Sequence, residues 1–196
     1  MDGPGTITWE EFIESAENFL EISNRVSDGW ELRGNKDVSG EAYLFRQRKH
    51  MFPGNYSIFQ SNDTEDDLNF ELTDDPFEAP STIQKPFVTE HHIVWSMSYG
   101  VPVIYFNGWK SDFPGINPIT VQEAQSFDVG ANLSYKELSQ AIHPMLGTPF
   151  LHLHPCKSQE LLQFTSKSKN KLVSWLSVIA PSAFLKLQPE YYNLTV

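Results

Sequence analysis

Cys156 is the residue with the clearest potential for nucleophilic chemistry, and it is the only cysteine in the chain. It ends the segment His152-Leu153-His154-Pro155-Cys156, and Lys157 follows it. A thiol reacts as its thiolate, which a cation, a base or a helix N-terminus stabilises. Lys157, His154 and a helix predicted to start near Ser158 would supply these. The segment predicts an exposed nucleophile at a loop edge, although a lone cysteine is more often a small buried hydrophobe.

Two other site chemistries fit the same segment. His152, His154 and Cys156 alternate, so on a strand they would face one side and suit a zinc site with an open position. Pro155 disturbs such a strand, and the chain has no CxxC or HExxH motif. A cysteine–histidine hydrolase would instead use a more distant histidine, for which three are available: His91, His92 and His143. The residues alone leave these alternatives open.

Periodic patterns predict the elements that position the segment. Thr8 and Glu11 form a capping-box pattern before an amphipathic helix that ends near 27–29. Strands are predicted at 30–32, 41–51, 68–72, 92–99 and 101–106. Helices are predicted at 120–127, 134–142, 158–164 and 172–179. The predicted fold is a single α+β domain over residues 1–196, with an antiparallel sheet of four or more strands flanked by an N-terminal helix and C-terminal helices.

The charge of the chain limits its partners. Its formal net charge of −11 argues against nucleic acid and anionic membrane, because both require a basic surface. Residues 62–80 contain no lysine or arginine and predict an acidic loop. The one basic cluster, Arg46 to His50, fits either a solvated strand end or a docking patch for an acidic partner.

Further features of the sequence indicate the compartment. A single cysteine cannot form an intramolecular disulfide and suits a reducing environment. No secretory leader pattern and no apolar run of about 18 residues is present. We therefore expect a cytoplasmic protein without stable membrane insertion.

The triplet His154-Pro155-Cys156 resembles the HPC motif of the autophagy E2-like conjugating enzymes. Two flanking blocks extend the likeness: residues 93–106 are similar to the central hairpin of that family, and residues 174–181 resemble its C-terminal helix. The similarity is clear from about residue 90 to 181 and weaker before it. This resemblance implies an E2-like, ubiquitin-conjugating core.

The resemblance also implies partners and a reaction. Cys156 would accept a ubiquitin-like modifier, autophagy-related protein twelve, as a thioester from the E1 enzyme, autophagy-related protein seven. It would then pass the modifier to a lysine of autophagy-related protein five, forming an isopeptide bond without a cofactor or metal. The family also contains a lipid-conjugating member, autophagy-related protein three, which is longer and has a large acidic insertion, so conjugation to protein is favoured. A non-catalytic protein-binding or zinc-binding module is the alternative from another class.

Roles for further residues are implied by the same likeness. His154 and Pro155 would shape the segment around the cysteine, and Tyr99 would support it. The hairpin would contact the substrate through Trp95, Tyr99, Val103 and Tyr105, and its exposed edge would suit strand addition. Ordinary ubiquitin-conjugating enzymes place an asparagine after a His-Pro pair as oxyanion donor. Met145 follows His143-Pro144 here, so that donor is not carried over.

Overall fold

The computed structural model describes residues 5–53, 84–126 and 138–196. Within them, six strands form one antiparallel sheet in the order β1-β2-β3-β4-β6-β5. The strands are β1 (Glu31–Gly34), β2 (Ala42–Pro53), β3 (Gln84–Ser96), β4 (Val101–Trp109), β5 (Leu138–Ile142) and β6 (Pro149–Leu153). The helices are α1 (Trp9–Val26), α2 (Val121–Ser126), α3 (Pro155–Phe164) and α4 (Lys171–Ile179), and 3₁₀ turns span Ala180–Ala183 and Pro189–Leu194. The predicted α+β class is confirmed. The predicted acidic loop at 62–80 and the strand at 68–72 lie outside the described residues.

Helix α1 forms for the reasons that its sequence indicates. The Thr8 hydroxyl accepts a hydrogen bond from the Glu11 amide, and the Glu11 carboxylate accepts one from the Thr8 amide. Ser27 ends the helix in the left-handed conformation. The apolar stripe is buried against the sheet and α4, and its members are Phe12, Ala16, Phe19 and Ile22. The capping box and the amphipathic face are confirmed.

The hairpin β3–β4 forms the middle of the sheet. Its strands pair from Val88 with Trp109 to Ser96 with Val101, and the turn between them ends at Gly100 with φ 63°. Tyr99, predicted as the end of a strand, lies in this turn because the chain reverses direction there. Strand β4 pairs with β6 at Tyr105 and Phe106. The lack of an amide proton at Pro102 therefore costs no ladder hydrogen bond with β6.

The predicted helix over 134–142 is wrong for its described part. Residues 138–142 are strand β5, and each of them pairs with a residue of β6, from Leu138 with Leu153 to Ile142 with Pro149. The turn after β5 contains His143-Pro144, where a helix end was expected. Tertiary pairing therefore overrides a short helical pattern in this segment.

The basic cluster on β2 is not simply a solvated strand end. Arg46 is 4% exposed, and its guanidinium lies 3.0 Å from Oδ1 of the fully buried Asp28 carboxylate. Arg48 lies 3.1 Å from the same oxygen, and the Tyr191 hydroxyl donates to Oδ2 at 2.9 Å. Arg46 and Arg48 are two residues apart on a strand, so both face the helices. The cluster is in large part an internal ion-pair network.

The C-terminal helices support the segment that contains the cysteine. Leu162 of α3 and Trp175 of α4 are buried, and the Trp175 indole donates to the Ser158 hydroxyl at 2.9 Å. Asn170 caps α4 by accepting the Val173 amide at 2.9 Å, as its position before the apolar run requires. None of the helices in the described ranges is long and apolar enough to cross a membrane.

Candidate active site

Strand β6 and helix α3 meet at the HPC triplet. Because Pro155 disfavours helical geometry at the residue before it, His154 takes φ −60° and ψ 133° and ends the strand. Pro155 then begins α3, where its missing amide proton costs nothing. Cys156 is therefore the second helical residue, two positions earlier than the helix start that the sequence predicts. It is exposed and forms no disulfide.

His154 contacts the cysteine directly. Its Nδ1 lies 2.8 Å from the Cys156 Sγ and accepts the Cys156 amide at 3.3 Å. A ring nitrogen that accepts the amide carries no proton, so the thiol must be the donor to Nδ1. His154 is thus placed to receive the thiol proton, in addition to shaping the segment.

The first turn of α3 adds a second influence on the sulfur. Unpaired amide groups at a helix N-terminus carry partial positive charge and favour an anion there. Cysteines at such positions have increased thiolate character. Lys157 brings a further cation, although its ammonium lies 3.3 Å from the Glu160 carboxylate. The position of Cys156 therefore suits a nucleophile or leaving group better than an unreactive core thiol.

The structure separates the four hairpin residues that were predicted to bind substrate. Tyr99 lies at the site, with its ring 6.1 Å from that of His154 in an edge-on arrangement, and it is 44% exposed. Tyr105 is half-buried and stacks on His152 at 5.6 Å. Val103 is 2% exposed, so it is a core residue that a substrate cannot reach. Trp95 packs on Trp9 and donates to the Ile7 carbonyl at 3.0 Å.

The expected exposed edge of the hairpin is not present. Residues 101–104 of β4 are all buried, and α3 packs against this strand. Strand addition at that edge, expected from the sequence, would require α3 to move away. The accessible part of the hairpin is its turn, where Met97 is 68% exposed.

Comparisons with known proteins identify the family of the chain. Residues 11–189 match the family model described as autophagocytosis associated protein, active-site domain. The chain belongs to this family. It is 30% identical to the human ubiquitin-like-conjugating enzyme ATG10 over 201 residues, which cover 90% of this chain and 88% of the human protein. The proteins of the same name from Arabidopsis thaliana and Dictyostelium discoideum are 30% and 29% identical, over 63% and 51% of this chain and 60% and 52% of their own lengths.

Membership of the family supports an E2-like conjugating enzyme, a transferase of autophagy. The resemblance seen in the HPC triplet and its flanking blocks, which is to autophagy-related protein ten in particular, is confirmed. The match spans α1, all six strands and the C-terminal helices. It therefore extends well before residue 90, where the sequence blocks show only weak similarity.

The alternative chemistries gain no support from the geometry. Among residues 5–53, 84–126 and 138–196, no three histidine, cysteine or acidic side chains converge as a metal site would require. The distant histidines proposed for a hydrolase are engaged elsewhere. His91 Nε2 donates to the Ala183 carbonyl at 2.6 Å, and His92 Nδ1 lies 3.0 Å from His143 Nε2.

The buried histidine pair is a feature that sequence reasoning missed. His143 Nδ1 accepts the amides of Met145 and Leu146, both at 3.2 Å, so its proton is on Nε2 and points to His92. His143 fixes the turn that joins β5 to β6, the strand leading to Cys156. Burial, reinforced by His92, lowers the pKa of His143 to about 4.

Stability should decrease between neutral and mildly acidic pH. Burial also lowers the pKa of His91 from 6.5 to about 3. His91 and His143 stay neutral in the folded chain, whereas in the unfolded chain they bind protons below a pH of about 6.5. Their contribution is therefore complete above that pH and is lost as the pH falls towards 4. At pH 5 each of these two histidines should lower the free energy of unfolding by about 2 kcal/mol relative to its value at neutral pH. Urea denaturation at pH 7.5, 6 and 5 would measure this loss.

A matched variant tests this assignment. His143→Gln does not titrate, so its unfolding free energy should depend less steeply on pH than that of the wild type. Equal wild-type stability at pH 7.5 and pH 5 would show that these histidines are protonated in the folded chain.

Proposed function

We propose that the chain carries a ubiquitin-like protein as a thioester on Cys156 and transfers it to a lysine. The modifier would be autophagy-related protein twelve, delivered by the E1 autophagy-related protein seven, and the acceptor would be autophagy-related protein five. The observation that supports this most strongly is the exposed Cys156 Sγ, 2.8 Å from His154 Nδ1 in the first turn of a helix.

The proposed reaction consists of two acyl transfers. In the first, the Cys156 thiol gives its proton to His154, and the thiolate attacks the carbonyl of the modifier's thioester with E1. A new C–S bond forms, and the E1 thiolate leaves. In the second, a neutral lysine amine attacks the carbonyl, the C–S bond breaks and Cys156 leaves as a thiolate. The nitrogen loses one proton as the amide forms, and that proton restores the Cys156 thiol. The helix N-terminus stabilises the sulfur anion both before attack and on departure.

The turn between β3 and β4 is the surface proposed to meet the modifier or the acceptor. Met97 and Tyr99 are exposed on this turn, and the Tyr99 ring lies edge-on to the His154 ring. A partner seated on this turn would lie beside the sulfur without displacing α3. We therefore assign recognition of the partner to this turn. Val103 is buried and only supports the turn from within the fold.

His154→Ala should slow the first step by making the thiolate scarcer. The imidazolium that forms when His154 takes the proton stabilises the thiolate, and loss of this exposed ion pair, worth about 1 kcal/mol, would raise the pH midpoint of Cys156 alkylation by about half to one unit. The measurement is the rate of reaction with iodoacetamide from pH 6 to 10. His152→Ala is the matched control, because that histidine contacts Ser139, at 3.2 Å. If both variants keep the wild-type midpoint, His154 does not act on the thiol.

Reconstitution tests the proposed function. The chain is incubated with ATP, the E1, the modifier and one of two acceptors: autophagy-related protein five, or vesicles containing phosphatidylethanolamine. We expect a modifier–protein conjugate that survives boiling in reductant, and no lipid conjugate. A lipid conjugate alone would assign the chain to the lipid-conjugating type, and absence of both with a folded chain would contradict the proposal.

A further inference from the structure

A basic cavity of about 470 Å³ lies between the sheet and the C-terminal segment. Its floor is formed by β2 and β3, through Arg46, Arg48, His50, Thr89 and His91. Residues 184–189 form its other wall. Its size is within the range of small-ligand sites. It does not include Cys156 or any other residue of the HPC triplet.

The charge of this cavity is opposite to that of the whole chain. Arg46, Arg48 and Lys186 line it, and none of its described lining residues is acidic. Among residues 5–53, 84–126 and 138–196, the carboxylate that pairs with these arginines is that of Asp28, which can neutralise only one of the three charges. In a chain of net charge −11, this local concentration of positive charge favours binding of an anion. Burial, and after it the charges of Arg46 and Arg48, lowers the pKa of His50.

Two buried polar atoms of the lining residues lack partners among the residues described. Arg46 Nε is a donor without an acceptor. His91 Nδ1 is an acceptor without a donor, because the Nε2 proton is committed to the Ala183 carbonyl. Each unsatisfied buried group costs about 1–3 kcal/mol. Neither atom has as much as 1 Å² of accessible surface, so a bound group would gain from pairing with them through a small movement of the cavity wall. The Arg46 side chain is 5% exposed and is held over the Trp30 ring at 5.6 Å, which keeps its guanidinium in place.

We propose that this cavity binds a phosphate monoester. A phosphate group near neutral pH carries negative oxygens for the arginines and, in part, a hydroxyl that can donate to His91. A carboxylate offers acceptors only. Arginine forks match the geometry of phosphate oxygens, and the remaining volume accommodates the group that carries the phosphate. The site is independent of thioester transfer at Cys156.

The test is a titration of the full chain, at pH 7 and low ionic strength, with inorganic phosphate, glycerol phosphate, a phosphoserine peptide and acetate as the carboxylate control. Binding is followed by calorimetry and by the NMR signal of the Arg46 Nε–H group. We expect saturable binding that shifts this signal. Tighter binding of glycerol phosphate would identify a free metabolite as the natural source, and tighter binding of the phosphoserine peptide would identify a modified protein side chain.

Three variants locate the binding. Arg48→Gln should weaken the binding of phosphate by about tenfold, because it removes a charged partner from the exposed side of the cavity. Lys186→Gln, which has no part in the Asp28 network, should weaken it by a smaller factor without affecting folding. Arg33→Gln makes the same change of charge outside the cavity and should bind as wild type. Absent saturation, equal weakening by Arg33→Gln, or acetate binding as tightly as phosphate would overturn the proposal.

Discussion

A Cys156→Ser variant is expected to accept the modifier but to fail in passing it on. Serine forms an oxygen ester, whose alkoxide is a far poorer leaving group than a thiolate. Conjugation of the acceptor should therefore fall about a thousandfold or more, in line with other losses of a nucleophile. The adduct itself should resist reductant and be cleaved by alkali. Gels run with reductant, without it, and after alkali treatment distinguish these outcomes.

Two controls accompany this variant. Cys156→Ala should form no adduct while remaining folded. Lys157→Arg removes the neighbouring nucleophile but keeps its charge, so it should be loaded as the wild type is. An adduct on Cys156→Ala, or a serine variant that transfers normally, would show that the sulfur is not the acceptor.

The largest loss of stability is expected from Asp28→Asn. The carboxylate has no exposed surface and faces Arg46 at 3.0 Å and Arg48 at 3.1 Å. The amide is nearly isosteric, but it leaves the buried Arg46 charge uncompensated. Breaking a buried pair in this way costs about 3–5 kcal/mol. Urea denaturation at neutral pH would measure the change in unfolding free energy.

A comparison with an exposed pair checks the reason for that loss. Glu31→Gln breaks the surface pair with Arg33 and should cost less than about 1 kcal/mol. Combining Asp28→Asn with Arg46→Met should recover part of the loss, because the unpaired charge is removed. If the double variant is as unstable as the sum of the two single ones, the two residues do not stabilise each other.

The elements with local signals could be predicted from the sequence. Helix α1 is predicted by its capping box and its apolar stripe, and α4 by the spacing of Leu172, Trp175 and Ile179. The β3–β4 hairpin is predicted by two runs of β-branched and aromatic residues. In each case the signal lies within the element and is reinforced by its burial.

Elements that depend on distant partners could not be predicted. Residues 138–142 form a strand because β6 pairs with all of them, which no local pattern indicates. Arg46 pairs with Asp28 across 18 positions of sequence, and the alternation Ala42-Leu44-Arg46 is the sequence signal that matches the inward position of this arginine. From sequence alone, a cluster of polar residues is expected to be exposed on the surface. Pairing with a distant residue can bury it instead.

The candidate site was predicted in part. Cys156 is exposed, and the short spacing to His154 brings the imidazole onto the sulfur. The position of the cysteine within the helix, instead of on a loop, depends on Pro155 acting as a first helical residue. Val103 was misjudged because strand residues alternate between surface and core, and this central strand is buried on both sides.

The most direct measurement of the central proposal is the mass of the peptide containing Cys156 after one round of loading. The chain is incubated with E1, ATP and the modifier, quenched without reductant, digested at low pH and analysed by mass spectrometry. We predict a modifier remnant on Cys156 that a thiol releases completely, restoring the free cysteine. A remnant that survives thiol, or one located on Lys157 with Cys156 unmodified, would contradict the assignment of Cys156 as the residue that carries the modifier.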